Sequence, residues 1–211
     1  MSEVKESAET FDFVGNRLCL DFVNTVDDRG SNMPKDRITS YNDLVLWSQL
    51  AGIITAEDAQ GLLEKAKQQP VEATQVFQKA VMLREVSYRI FSAIALNSPP
   101  DPSDLQELSA AYAEAMDKAC ITQKDDCFTW DWMQKETALE STLWAIIRSA
   151  AELLTSTDLH LMHQCAADNC GWLFLDTSKN HSRRWCDMKG CGNRTKVGRH
   201  YERKKQKNVD A

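Results

Sequence analysis

No apolar stretch in this 211-residue chain reaches the roughly 20 residues that span a bilayer. The first ten residues, MSEVKESAET, are polar and acidic and lack the apolar core of a secretory signal. Low-complexity segments are missing, and nothing repeats beyond a pair of cysteine spacings. These absences lead us to expect a cytoplasmic protein with no membrane partner. In a reducing compartment, clustered cysteines hold metal more often than disulfides. An aromatic-rich platform for RNA bases is also lacking.

What is present is concentrated near the C-terminus. Cys165, Cys170, Cys186 and Cys191 form two C-x4-C pairs separated by fifteen residues. Zinc favours a tetrahedron of four thiolates, and two short-range pairs brought together by one hairpin supply it. Four protein ligands leave no open position for water or substrate, so one structural zinc ion is expected and no enzymatic activity. His160, His163 and His181 lie close enough to be alternative ligands, but with four cysteines at hand a packing or surface role suits them better. Cys19, in the run LCLDFV, reads as a buried small hydrophobe. Cys120 and Cys127 flank a turn and could face each other, with a disulfide as a minor alternative.

Charge is divided unevenly. Residues 177–211 carry eleven Lys/Arg against three Asp/Glu, a balance of +8, whereas residues 1–159 carry fourteen against twenty-six, a balance of −12. The whole-chain value of −6 conceals this polarity. An acidic body repels a polyanion that the basic end attracts. After Cys170, Gly171–Leu175 reads as a strand and His181–Trp185 as a second strand leading back. A terminal helix follows from Asn193 to about Lys205, with Val197 and Tyr201 inward. Knuckle, hairpin and helix give the order of a treble-clef finger. Arg183, Arg184, Arg194, Lys196, Arg199, Arg203, Lys204 and Lys205 are the candidate phosphate contacts. A module this small lacks a sufficient core. It should need zinc to fold, and losing zinc should leave most of the helical body intact.

The rest reads as mainly α with a few short strands. Residues 1–10 are expected to be disordered, 11–158 to form the α-rich domain and 159–207 the finger. Phe11–Thr25 could be a hairpin or a strand leading into a helix, and Val26–Arg37 a loop. Ser40 caps a helix through Leu50 that ends at Gly52, and Thr55–Asp58 resembles a capping box. A long helix spans roughly Glu72–Leu96 and stops at the prolines 99, 100 and 102; Ser103 can cap the next. Residues 119–132 suggest a small hairpin. Lys135–Thr155 carries a strong helical apolar period.

The finger residues carry a family resemblance. Cys165-x4-Cys170-Gly-Trp-Leu-Phe-Leu-Asp-Thr-Ser, then Arg183-Arg184-Trp185-Cys186-x4-Cys191-Gly192-Asn193-Arg194, resembles the CGNR zinc finger of bacterial proteins. Gly15–Thr25, GNRLCLDFVNT, is similar to a stretch of the ABATE domain that usually precedes that finger. The resemblance covers nearly the whole chain. It implies a stress-induced transcription regulator whose finger contacts nucleic acid, DNA by preference, and a dimer would suit a symmetric site. It also draws attention to Asn16, Arg17, Asp21 and Asn24 as a candidate pocket for a small-molecule effector. Internal bonding that fixes the fold explains the same residues more simply. Two rival functions remain: a protein-interaction module docking the basic helix on an acidic partner, and a treble-clef nuclease. The second is weak, because no acid or second histidine lies at an evident metal spacing from His181 or His200.

Overall fold

The computed structural model describes residues 11–197. The expectations for residues 1–10, Arg199, His200, Tyr201, Arg203, Lys204 and Lys205 lie outside the described residues. Among the described residues, six complete α-helices, three antiparallel strand pairs, one 3-10 turn and one π turn are formed, and a helical segment begins at residue 193.

The helices follow their end signals. α1 is Leu18–Val23, α2 Tyr41–Leu50, α3 Ala56–Gln68, α4 Pro70–Ala95, α5 Pro102–Met116 and α6 Ser141–Leu154. The Ser40 hydroxyl accepts from the Asp43 amide, and Thr55 with Asp58 completes a reciprocal capping box. Gly52 follows α2 at φ 74°, a backbone conformation that costs glycine little. The central α4 starts with proline at its first position, where no intrahelical amide bond is lost. It buries Ala73, Val76, Ala80, Leu83, Ile90 and Phe91 along one face. Asp101, rather than Ser103, caps α5 by accepting from the Ser103 amide, which leaves Pro102 at the first helical position. α6 begins at Ser141 instead of Lys135. Gln134 has φ 58° and the intervening residues form turns, so the apolar period starts before the helix does.

The first apolar run is a helix and not a hairpin. Asn16, at φ 64°, turns the chain into α1, which buries Cys19, Leu20, Asp21, Phe22 and Val23 against α4 and α6. Segment 26–37, expected as loop, contains the short strands β1 (Val26–Asp27) and β2 (Lys35–Asp36), paired antiparallel. β3 (Ala119–Lys124) and β4 (Cys127–Trp132) form the expected hairpin around Asp125. Cys120 pairs across with Asp131 and Cys127 with Lys124, so the two thiols do not face each other and both are free.

β5 (Met162–Gln164) and β6 (Leu173–Leu175) make the hairpin of the C-terminal region. Residues 181–185 were expected to pair with β6, but they form no strand. The reason is that both edges of β6 are already taken. One edge meets β5; along the other, the Leu175 amide donates to the Gly15 carbonyl and Leu173 bonds to the Asn24 side chain. Leu173 and Leu175 point into the main core, whereas Trp172 and Phe174 join the cysteines in a second cluster. The finger therefore shares a strand with the body and is not a separate module on a linker.

Candidate metal centre

Two short structures carry the four cysteines. Cys165 and Cys170 bracket the loop between β5 and β6, where the Cys165 amide donates to the Trp172 carbonyl at 2.8 Å. Asn169 and Gly171 both have positive φ, 66° and 73°, which curls the chain around the second cysteine. Cys186 precedes the π turn Met188–Gly192 and Cys191 lies within it; Asp187 caps the turn, its carboxylate accepting from the Gly190 amide at 2.6 Å.

The four Sγ atoms lie within 4.8 Å of one another, with Cys170–Cys186 at 3.7 Å and Cys186–Cys191 at 3.6 Å. A tetrahedral zinc with bonds of about 2.3 Å sets its sulfurs about 3.8 Å apart, so the donor set fits one structural zinc ion. All four cysteines are buried. Thiols this close cannot all ionise without a cation. Hydrogen bonds from Cys170 and Cys186 draw the Cys165 thiol far below the usual thiol range; the Cys165 contact in turn pushes Cys170 and Cys186 up. Burial raises Cys191. A divalent cation resolves the conflict by letting four thiolates coexist.

No histidine enters the cluster among the described residues. His160 Nδ1 lies 2.5 Å from the Thr157 carbonyl, His181 Nδ1 lies 3.0 Å from the Asp176 carbonyl, and the His163 ring packs near Phe174.

The site is held from the body side by residues that the sequence pattern did not mark. The Arg29 amide donates to the Cys170 carbonyl at 3.2 Å and the Gly30 amide to the Asn169 carbonyl at 3.0 Å. The Trp172 indole donates to the Val26 carbonyl at 2.9 Å, and the Arg37 guanidinium lies 5.3 Å over its ring. Asp176, fully buried, accepts from the Ser178 and Arg183 amides and shapes the loop leading to Cys186. The sequence Asp176–Asn180 reads as a polar turn, and Asp-Thr-Ser is typical of one bonded through its side chain; what the sequence does not show is that Asp176 is buried and also holds Arg183.

The candidate phosphate contacts divide. Arg184, Arg194 and Lys196 are exposed, as is Lys189 in the turn between the second cysteine pair, a residue the sequence reading passed over. Arg194 lies 3.7 Å from Asp28 in an exposed ion pair. Arg183 turns inward instead. It donates to the carbonyls of Trp185, Val14 and Cys186 and stacks 4.1 Å from the Phe174 ring. Half-buried, its planar fork acts as a bracket for backbone, and its donors are spent on three carbonyls. Residues 193–197 are helical, and Val197, expected inward, is 54% exposed.

The four pocket candidates are spent on internal bonds. Asn16 Nδ2 donates to the Leu175 carbonyl at 2.9 Å, and Arg17 pairs with Asp158. Asn24 donates to the Leu173 carbonyl and accepts its amide, both at 2.8 Å. Asp21 accepts from the Gly15 amide at 2.7 Å, and burial pushes its carboxyl up to about 6. These contacts tie α1 to β6 and leave no set of polar groups aimed at a ligand.

The ABATE family, described as "Putative stress-induced transcription regulator", matches residues 16–157, and the CGNR zinc finger family matches residues 162–204. No curated protein matches the chain. Two family matches, one on the helical body and one on the four-cysteine cluster, agree with the geometry of both parts, and the protein belongs to the ABATE family with a C-terminal zinc finger of the CGNR type.

Proposed function

We propose that the protein is a non-enzymatic regulator that binds nucleic acid, DNA by preference, through the exposed basic face of its zinc finger. The observation that carries this reading is the placement of Arg184, Lys189, Arg194 and Lys196 on the solvent side of a closed four-cysteine site. Zinc supplies no reaction in this reading; its role is to fix the turn Met188–Gly192 against the β5–β6 loop, so that Lys189 within the turn and Arg184, Arg194 and Lys196 on either side of it are held on a fixed frame. Asp187, the acid nearest them in sequence, has its carboxylate engaged by the Gly190 amide. The acidic body beneath would hold the rest of a polyanion away and confine contact to the finger.

Backbone contacts of this kind carry a salt signature. Log affinity falls with log salt by about 0.9 per phosphate neutralised on duplex DNA. In an anisotropy titration with random duplex, Arg184→Glu together with Arg194→Glu is expected to weaken binding at least tenfold. The salt slope should become shallower by about two contacts. Unchanged DNA and RNA binding in that variant would contradict the proposal and assign the face to an acidic protein partner.

A further inference from the structure

A cleft of 230 Å³ runs between the helical body and the finger, and its floor is the metal centre itself. Cys170, Cys186 and Cys191 line it together with Trp172, whereas Cys165 does not. The body wall carries Asp12, Asp27, Asp28 and Arg37, and the finger wall carries Asp187, Gly190 and Arg194. Floor and mouth differ in exposure. The three cysteines are 6%, 3% and 6% exposed, while side chains at the rim reach 48% at Asp28, 56% at Asp12 and 67% at Arg194. The cleft therefore joins three buried sulfurs to solvent, with room for water or a small chelating group.

Its charges suit the passage of a cation. Four aspartates and two arginines line it, a formal balance of −2, and a concave acidic wall raises the local concentration of cations. Most of these groups are fixed in place. Asp27 and Asp12 both bond to Arg37, at 2.7 and 3.0 Å, and the Asp187 carboxylate accepts from the Gly190 amide. The pair that crosses the mouth is looser. Arg194 of the finger meets Asp28 of the body at 3.7 Å, and exposed pairs of this kind hold weakly.

We propose that this cleft is the route by which zinc enters and leaves the folded protein, with the Arg194–Asp28 pair as the latch across its mouth. A donor atom of an incoming chelator displaces one cysteine sulfur at a time. Each zinc–sulfur bond that breaks is replaced by a bond from the chelator, no electrons are transferred, and the freed thiolates take up protons from water. Cys170, Cys186 and Cys191 face the cleft and exchange first; Cys165, which lies off it, exchanges last. Zinc is thus handed over without unfolding of the body. Exchange by this route does not depend on nucleic-acid binding.

Zinc transfer from the intact zinc-loaded protein to pyridylazoresorcinol, followed by absorbance, tests this. The rate should rise with chelator concentration, as direct exchange requires. Among the described residues, a Cβ at Gly190 would meet only the Asp187 carboxylate, at 3.4 Å, so a side chain is accommodated there. Gly190→Leu narrows the cleft and should slow transfer at least about threefold. Arg194→Ala releases the latch and should speed transfer about two- to fivefold. Ala166→Leu, exposed beside Cys165 but off the cleft, should leave the rate unchanged. Helical circular dichroism should match the wild type in all three. An unchanged rate in Arg194→Ala, or in a folded Gly190→Leu, would overturn the proposal. So would transfer independent of chelator concentration, which marks release by unfolding, or slowing by Ala166→Leu instead.

Discussion

At the residue scale, Asn24 does the work of a neighbouring strand. Its side-chain amide both donates to and accepts from Leu173, filling one edge of β6 inside the core. Asn24→Ala leaves a buried amide and a buried carbonyl without partners, at a cost of about 1–3 kcal/mol each before relaxation. Urea unfolding should show a loss of at least about 2 kcal/mol; a loss under half a kcal/mol would mean the pairing is dispensable. The metal ligands were legible in the sequence because their pattern is local: a fixed spacing, repeated, of a residue type with one dominant use. The inward turn of Arg183 was not. Charge and position in the chain say nothing about side-chain direction, and Arg183 and Arg184 look alike until Phe174 and three carbonyls claim one of them. Asn24 and Asp21 read as polar interruptions of an apolar run, which already required partners, but those partners lie about 150 residues away for Asn24.

At the element scale, the tight point is the loop between β5 and β6. Gly171 sits at φ 73°, and a Cβ there would stand 2.9 Å from the Arg29 Cβ and 3.2 Å from the Tyr88 hydroxyl. Gly171→Ala therefore combines an unfavourable backbone conformation with a clash against the body, for a cost of about 1–3 kcal/mol. It should also loosen Cys170, so zinc should pass to a competing chelator faster than from the wild type; equal release rates and equal stability would contradict this account of the loop. Helices were readable at this scale because caps and prolines are local signals, as at Ser40, Thr55 and Pro70. Strand pairing was not. The chain holds two apolar segments that could flank β6, and only the fold shows that residues 162–164 and the 15–24 segment occupy its edges before residues 181–185 can.

For the whole molecule, the central result is that the finger and the helical body share one strand. β6 faces the main core with Leu173 and Leu175 and the cysteine cluster with Phe174, Trp172 just before it joins the same cluster, and Arg29, Gly30 and Val26 bond directly to the metal loop. Length, charge split and motif spacing suggested a small module that melts alone, because a sequence shows where a motif ends and not what it packs on. Zinc is thereby linked to the stability of the entire fold, since a ligand that binds only the native state shifts the folding equilibrium of whatever unfolds with its site. It also holds the cations in place for the proposed nucleic-acid contact. Differential scanning calorimetry of the intact protein, zinc-loaded and after chelation, tests this most directly. One cooperative transition is expected, dropping by more than about 10 °C when zinc is removed, with helical signal lost in the same step. A helical transition at unchanged temperature, with only the C-terminal region melted by the chelator, would contradict it.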